Sequence, residues 1–235
     1  MDQLQSMISP PECAGIPAGS FFIGCTSDDK FGNSHELPRR EIQIAAFELG
    51  KTPVTEAQFA AFLGEVSDSN LPVIRVSWED AQSYCAWLSE QTGESYRLPT
   101  EAEREYACRA GSTGPFPSGD MLDTAQVNHL YDENGNRIGP GQRLAVTWGQ
   151  PNAFGLHDML GNVCEWVADD WVSNYSTLSP NGAAQSLAPD SPTSLKVIRG
   201  GGWDYLPRLL RSSSRDFAPA TTRRDNLGFR IAKEP

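Results

Sequence analysis

Between Thr55 and Gly111 the chain repeats one local signal three times, each time leading into an apolar or helix-forming run, and beyond Gly111 helical periodicity disappears. Thr55 with Gln58, Ser77 with Asp80 and Thr100 with Glu103 each set a capping hydroxyl three residues ahead of a side chain able to bond back to the cap's own amide. Phe59, Phe62, Leu63 and Val66 follow the first cap at helical spacing, and Trp78, Ala81, Tyr84, Cys85 and Leu88 follow the second. Helices are predicted over Thr55–Val66 and Ser77–Gln91, with a shorter third from Thr100 to a C-terminal cap at Gly111. The rest of the chain is rich in Gly, Pro, Asn, Asp and Trp, with only short strand-like pieces such as RLAVTW, KVIRGG and LGFRIA. Irregular chain on that scale inside a compact domain has to be tied down by something other than its own backbone ladder.

Ahead of the helices, IPAGSFFIG and EIQIAAFEL alternate apolar and polar residues, as strands with one solvated face do. Polar TSDDKFGNSHELPRR between them reads as a loop, and SNYSTLSPNGAAQSLAPDSPTS as an internal loop ahead of a strand. With 39% hydrophobic residues in 235 there is material for a sizeable core, and 21 Gly and 17 Pro argue against a helical bundle. The expected fold class is α/β (α+β), one domain over 16–235 behind a short tail at 1–15. A net charge of −11 argues against nucleic acid as a partner. There is no apolar run of about 18 residues to span a membrane, and MDQLQSMISPPECAG has no basic start leading into an apolar stretch, so a cytoplasmic location is expected.

The five cysteines, Cys13, Cys25, Cys85, Cys108 and Cys164, are scattered without a CxxC pair, which specifies neither zinc nor a disulfide framework and suits small buried hydrophobes. His35, His129 and His157 show no HxxxH spacing and read as structural. No nucleophile elbow, Walker loop or GxGxxG occurs, and Gly200–Gly202 read as a backbone bend. DENGNR, Asp132–Arg137, begins like an EF-hand loop, but its twelfth position is Arg143, so a turn with Asn134 and Gly135 at its tip is the simpler reading.

Four stretches then carry a resemblance: IPAGSFFIG with KTPVTEAQFAAFL; VIRVSWEDAQSYCAWL with YRLPTEAEREYACRAG; PNAFGLHDMLGNVCEW; and VIRGGGWDYLPRLLRSSSR through NLGFRIA. In order and content they resemble the formylglycine-generating enzyme (sulfatase-modifying factor) family from Ile16 to Ala232. The resemblance implies a C-type-lectin-like fold of that family's subtype, low in regular structure. It implies a copper-dependent oxidase whose two active-site cysteines follow the glycine turn. Here Tyr205 stands near the first of those positions and Leu209 or Leu210 near the second, so no copper is expected and formylglycine generation is not the expected activity. A calcium ion is implied at Asp158, Gly161, Val163 and Glu165, through two side-chain oxygens and two main-chain carbonyls. One departure is Arg104, where the family usually has Trp.

WDYLPRLLRSSSRDFAPATTRRDN, within 203–226, combines aromatic, Arg and small polar residues between two framework pieces, the composition of a ligand-binding surface. It resembles the variable region of retroelement-diversified proteins, in which adenines of asparagine codons are randomised. Such codons cannot yield Lys, Glu, Gln, Met or Trp. None of these occurs from Asp204 to Asn226, although they make up roughly a sixth of an ordinary chain. The candidate ligand-binding positions are Trp203, Asp204, Tyr205, Leu206, Arg208, Leu209, Ser213, Ser214, Asp216, Phe217 and Ala218, with Leu210 and Arg211 assigned to the framework. The sequence therefore predicts a non-catalytic, calcium-supported binder of a protein or other macromolecule. An oxidase-like or oxygenase-like paralogue without the cysteine pair, and a fixed interaction or regulatory module, are the alternatives.

Overall fold

The structure, a computed structural model, describes residues 9–187 and 195–235. The two alternating N-terminal stretches are each divided in two. Pro17 separates β1 (Cys13–Ile16) from β2 (Gly19–Ile23), and Ala45–Ala46 separate β3 (Arg40–Ile44) from β4 (Phe47–Gly50). β2 and β3 form a two-stranded antiparallel sheet. β1 pairs with β4 in a second sheet of order β1-β4-β10-β5, whose other strands are β5 (Tyr96–Arg97) and β10 (Ala232–Lys233). The first described strand thus begins at Cys13. A third sheet holds β6 (Cys164–Asp170), β7 (Leu195–Arg199), β8 (Arg215–Pro219) and β9 (Leu227–Phe229) in the order β8-β7-β6-β9, with β6 and β9 parallel.

All three capping boxes form. They open α1 (Glu56–Leu63), α2 (Trp78–Thr92) and α3 (Glu101–Arg109). α1 stops short of Val66 because Gly64 turns left-handed, which leaves Val66 83% exposed. α3 is closed by Ala110 at φ 44°, one residue before the expected Gly111. Thr100 Oγ1 accepts from the Glu103 amide at 3.1 Å and Glu103 Oε2 accepts from the Thr100 amide at 2.7 Å. Thr100→Ala is expected to cost about 1 kcal/mol and to lower Tm by roughly 2–4 °C in a circular dichroism melt.

Phe59 of α1 and Tyr84 and Leu88 of α2 pack on Trp166, Ile198 and Phe229 of the third sheet. Ile16, Ile23, Ile42 and Leu49 pack with Ala102 and Ala107 of α3. α3 is therefore enclosed on every side, and only Glu103 escapes full burial. Four of its buried residues are charged: Glu101, Arg104, Glu105 and Arg109. Such charges persist in an interior only when paired and hydrogen-bonded; Arg109 donates to Glu105 Oε1 at 2.9 Å, and the other partners are described below.

Side chains tie down the irregular half. Asn162, at φ 59°, accepts on Oδ1 from the Leu144 amide and from Asn128 Nδ2, and donates from Nδ2 to the Leu144 carbonyl at 3.1 Å. RLAVTW is consequently not a strand, because its backbone pairs with an Asn side chain. Gly161 is required twice over. It sits at φ 71°, and a Cβ there would lie 2.5 Å from the Asn128 carbonyl oxygen. Gly200 and Gly201, at φ 89° and 69°, make the expected bend. At DENGNR the Asp132 carboxylate accepts from the Asn134 and Asn136 amides and from Asn136 Nδ2, which uses it as a turn anchor. Part of the stretch from Ser173 to Ser194 lies outside the described residues; before it, Tyr175–Thr177 form a 3-10 turn.

Candidate functional site

Residues 200–214 are an excursion between the paired strands β7 and β8, where Arg199 stands opposite Arg215. Both guanidinium groups turn inward to α3. Arg215 donates from Nε to Glu101 Oε1 at 2.6 Å and from Nη2 to Oε2 at 2.8 Å. Arg199 pairs with Glu105, and it gathers the excursion by donating to the carbonyls of Ser212 at 3.0 Å and Ser213 at 2.9 Å. Arg211 donates to both Glu36 oxygens at 2.7 Å, to Asp29 Oδ2 at 2.9 Å and to Ser213 Oγ at 2.9 Å. Leu210 is fully buried, so it and Arg211 are framework as expected.

On this base the outer residues converge. Tyr205, Leu209, Ser214 and Asp216 line one cavity of about 290 Å³ together with Arg199, Arg211 and Cys164. The Tyr205 hydroxyl donates to Asp216 Oδ2 at 3.2 Å, and Arg224 donates to the same oxygen at 2.8 Å. Asp204 accepts from Asn226 at 2.8 Å, and Arg208 faces Glu133 at 3.7 Å. Leu209 is 42% and Phe217 41% exposed, and the Phe217 ring rests on Trp171 with centroids 4.4 Å apart. Trp203 and Leu206 are half-buried. A wider groove of about 1120 Å³ shares Arg211 with this cavity, and carries Asp28, Asp29, Asp120, Asp132 and Glu133.

Two candidates do not reach this surface. Ser213 is 1% exposed because Arg199 holds its carbonyl and Arg211 its hydroxyl. Ala218 is 2% exposed because strand alternation puts it inward, toward Ile198 and Trp166, while Phe217 faces out. Missing from the sequence reading were the Glu101, Glu105 and Glu36 supports and Trp171 beneath Phe217. The available signal was three arginines, 199, 211 and 215, set among apolar framework residues.

The cavity holds no activated nucleophile among the described residues. Burial pushes the Cys164 thiol well above its ordinary value, and burial likewise pushes up the Tyr205 hydroxyl. Burial lowers His35, with Arg215 adding to the effect. All five cysteines are free. His129 and His157 each bond a nearby carbonyl through Nδ1 at 2.8 Å, and no group of three or more His, Cys, Asp or Glu gathers as a metal cluster among the described residues.

The implied calcium ligands fit a divalent cation poorly. Asp158 stands at φ 53° with Oδ2 enclosed and unpartnered, and burial pushes its carboxyl up to about 7 against the pull of Arg230. Gly161 and Val163 are buried beside it. Glu165, however, has both oxygens engaged by two guanidinium groups, Arg104 and Arg230.

Asp169 is another buried carboxyl, pushed up to about 7 by burial and then by neighbouring Glu101, although it accepts the Glu101 and Gln185 amides. A raised folded pKa means that the folded state keeps a proton which the unfolded chain releases near pH ~4. Stability is therefore expected to fall as pH rises from about 4 through about 7, by up to about 1.4 kcal/mol per pH unit from this group. Urea melts across that window test it, with Asp169→Asn expected to flatten the decline.

The chain matches the sulfatase-modifying factor enzyme 1-like domain over residues 3–235. It is 34% identical to the formylglycine-generating enzyme of Mus musculus over 93% of this chain and 74% of that one. It is 29% identical to the serine/threonine-protein kinase pkn1 of Chlamydia caviae over 94% of this chain, but spans only 38% of that relative's length. Among solved structures, PvdO from Pseudomonas aeruginosa superposes with a TM-score of 0.85 at 33% identity, covering 96% of this chain and 95% of that one. Variable protein 1 of Treponema denticola shares the fold at a TM-score of 0.80 and 22% identity, over 95% of each chain. The mixed sheets, three helices and sparse regular structure are the C-type-lectin-like architecture that the sequence led us to expect. With a domain match from residue 3 to the last residue and a third of positions shared with the mouse enzyme, this chain belongs to the sulfatase-modifying factor enzyme 1-like family.

Proposed function

We propose that the chain is a non-catalytic binding protein that takes a protein or other macromolecular ligand on the face built by segment 203–226. The observation that carries this reading is the convergence of Tyr205, Leu209, Ser214 and Asp216 on one cavity, over a base of buried Arg–Glu pairs. A recognition surface held rigid from below loses little entropy on binding. The adjoining 1120 Å³ groove extends the same face toward the size of a polypeptide segment, and its five carboxylates disfavour nucleic acid. Non-catalysis is supported by Tyr205 and by Leu209 or Leu210 where thiolates would be needed, and by a Cys164 thiol that burial keeps protonated. With Cu(I) and a cysteine-containing sulfatase peptide the protein is expected to consume no oxygen; turnover would overturn this reading.

The same reading extends to how the surface varies. Asp204, Tyr205, Leu206, Arg208, Leu209, Ser214, Asp216 and Phe217 are not buried, as diversified positions have to be. Sequencing the DNA downstream of the gene tests this. The expected result is a near-copy of the final codons with asparagine at those positions, next to a reverse transcriptase. An intact downstream region with neither leaves a fixed interaction module.

A further inference from the structure

We propose that the Arg104 guanidinium takes the place of the divalent cation that the GNVCEW loop would otherwise need, so that the loop from Asp158 to Glu165 is ordered without calcium. Arg104 reaches from α3 and donates to Glu165 Oε2 at 2.8 Å, to Oε1 at 3.2 Å and to the Met159 carbonyl at 2.8 Å. Arg230 comes from the opposite side and donates to Glu165 Oε2 and Oε1 at 2.7 Å each, and to the carbonyls of His157 at 3.0 Å and Asp158 at 3.3 Å. Positive charge, contact with the carboxylate and contact with main-chain carbonyls are what an ion supplies to such a loop. Here two side chains supply all three.

An added ion would meet two guanidinium groups and a single carboxylate that is not already paired, Asp158. Ca²⁺ takes roughly 6–8 oxygen ligands. With Glu165 committed to Arg104 and Arg230, only the Asp158 carboxylate and the Gly161 and Val163 carbonyls remain of the implied set. Arg104 is 1% exposed, so it cannot swing into solvent to make room.

The test compares the full-length protein in CaCl₂ and in EDTA, by thermal unfolding and by equilibrium dialysis against calcium, as wild type, Arg104→Lys and Arg104→Leu. Wild type and Arg104→Lys are expected to have the same Tm in both solutions and to retain no calcium. Arg104→Leu removes one positive charge and frees lone pairs on Glu165. Its Tm in EDTA is expected to drop, and CaCl₂ at a ~100-fold excess over Kd to raise it by roughly 5–10 °C. Calcium retained by the wild type overturns the proposal, as does a folded Arg104→Leu variant that gains nothing from calcium. Should Arg104→Leu fail to fold in either solution, the wild-type dialysis decides: bound calcium refutes the proposal and its absence upholds it.

Discussion

Glu165→Gln is expected to cost about 3–5 kcal/mol of unfolding free energy, more than any single surface change in this protein. Glu165 is 0% exposed and is the common counter-charge of Arg104 and Arg230, both also buried. Burial alone would raise its pKa, yet the Arg104 and Arg230 guanidinium groups hold it below the ordinary carboxylate value. Its stabilising contribution is thus present above the unfolded value and is lost as pH falls through the folded one. Removing the charge strands two guanidinium groups where no water can replace it. Glu56→Gln is the control, since Glu56 pairs with Arg143 at a partly solvated site where such pairs contribute about 0–1 kcal/mol. Urea denaturation of both variants measures the contrast. Equal, small losses would mean that the Glu165 cluster is hydrated, and the account of the loop would fail with it.

Glu101→Gln is the second large effect, again about 3–5 kcal/mol, and it bears on the proposed binding face. Glu101 is the counter-charge of Arg215, lies within 3.5 Å of Arg199 Nε and accepts from the Tyr175 hydroxyl at 3.1 Å. Arg199 in turn holds the carbonyls of Ser212 and Ser213. With Glu101 neutral, the excursion between β7 and β8 loses the Arg215 anchor to α3 and keeps only the Arg199–Glu105 pair. Faster hydrogen exchange at the amides of residues 212–216 is the expected readout, and unchanged protection there would show that the pair is not what orders the segment. Asp169 supplies a second readout. Its carboxyl is raised partly by Glu101, so the decline in stability from pH ~4 to about 7 should become shallower in the same variant.

The three capping boxes were legible because both partners lie within four residues and the chemistry is complete in the sequence. The strands were legible as strand-forming stretches but not as sheets. IPAGSFFIG supplies β1 and β2 to different sheets, and LGFRIA divides between β9 and β10 in the same way. Alternation reports which face of a segment is apolar, not which neighbour will pair with it. RLAVTW alternates too, but the Leu144 amide and carbonyl within it are bonded to the Asn162 side chain instead of to a strand.

For the proposed binding face, the sequence singled out the segment and the absence of the cysteine pair, and the buried positions of Leu210 and Arg211 agree with their framework assignment. It misplaced Ser213 and Ala218, which point inward. Their orientation depends on Arg199 and Arg211 for one, and on the register of β8 against β7 for the other.

What the sequence determined by itself is local: where helices begin, where glycine permits the bends at Gly161, Gly200 and Gly201, and which family's framework the chain carries. Tertiary structure alone decided what the buried charges do. Arg104 and Glu165 lie 61 residues apart, Glu101 and Arg215 114, and Glu36 and Arg211 175. No local pattern encodes such a pair, because each charge is tolerated in the interior only once the fold has brought its partner within hydrogen-bond distance and removed the water that would otherwise have solvated it.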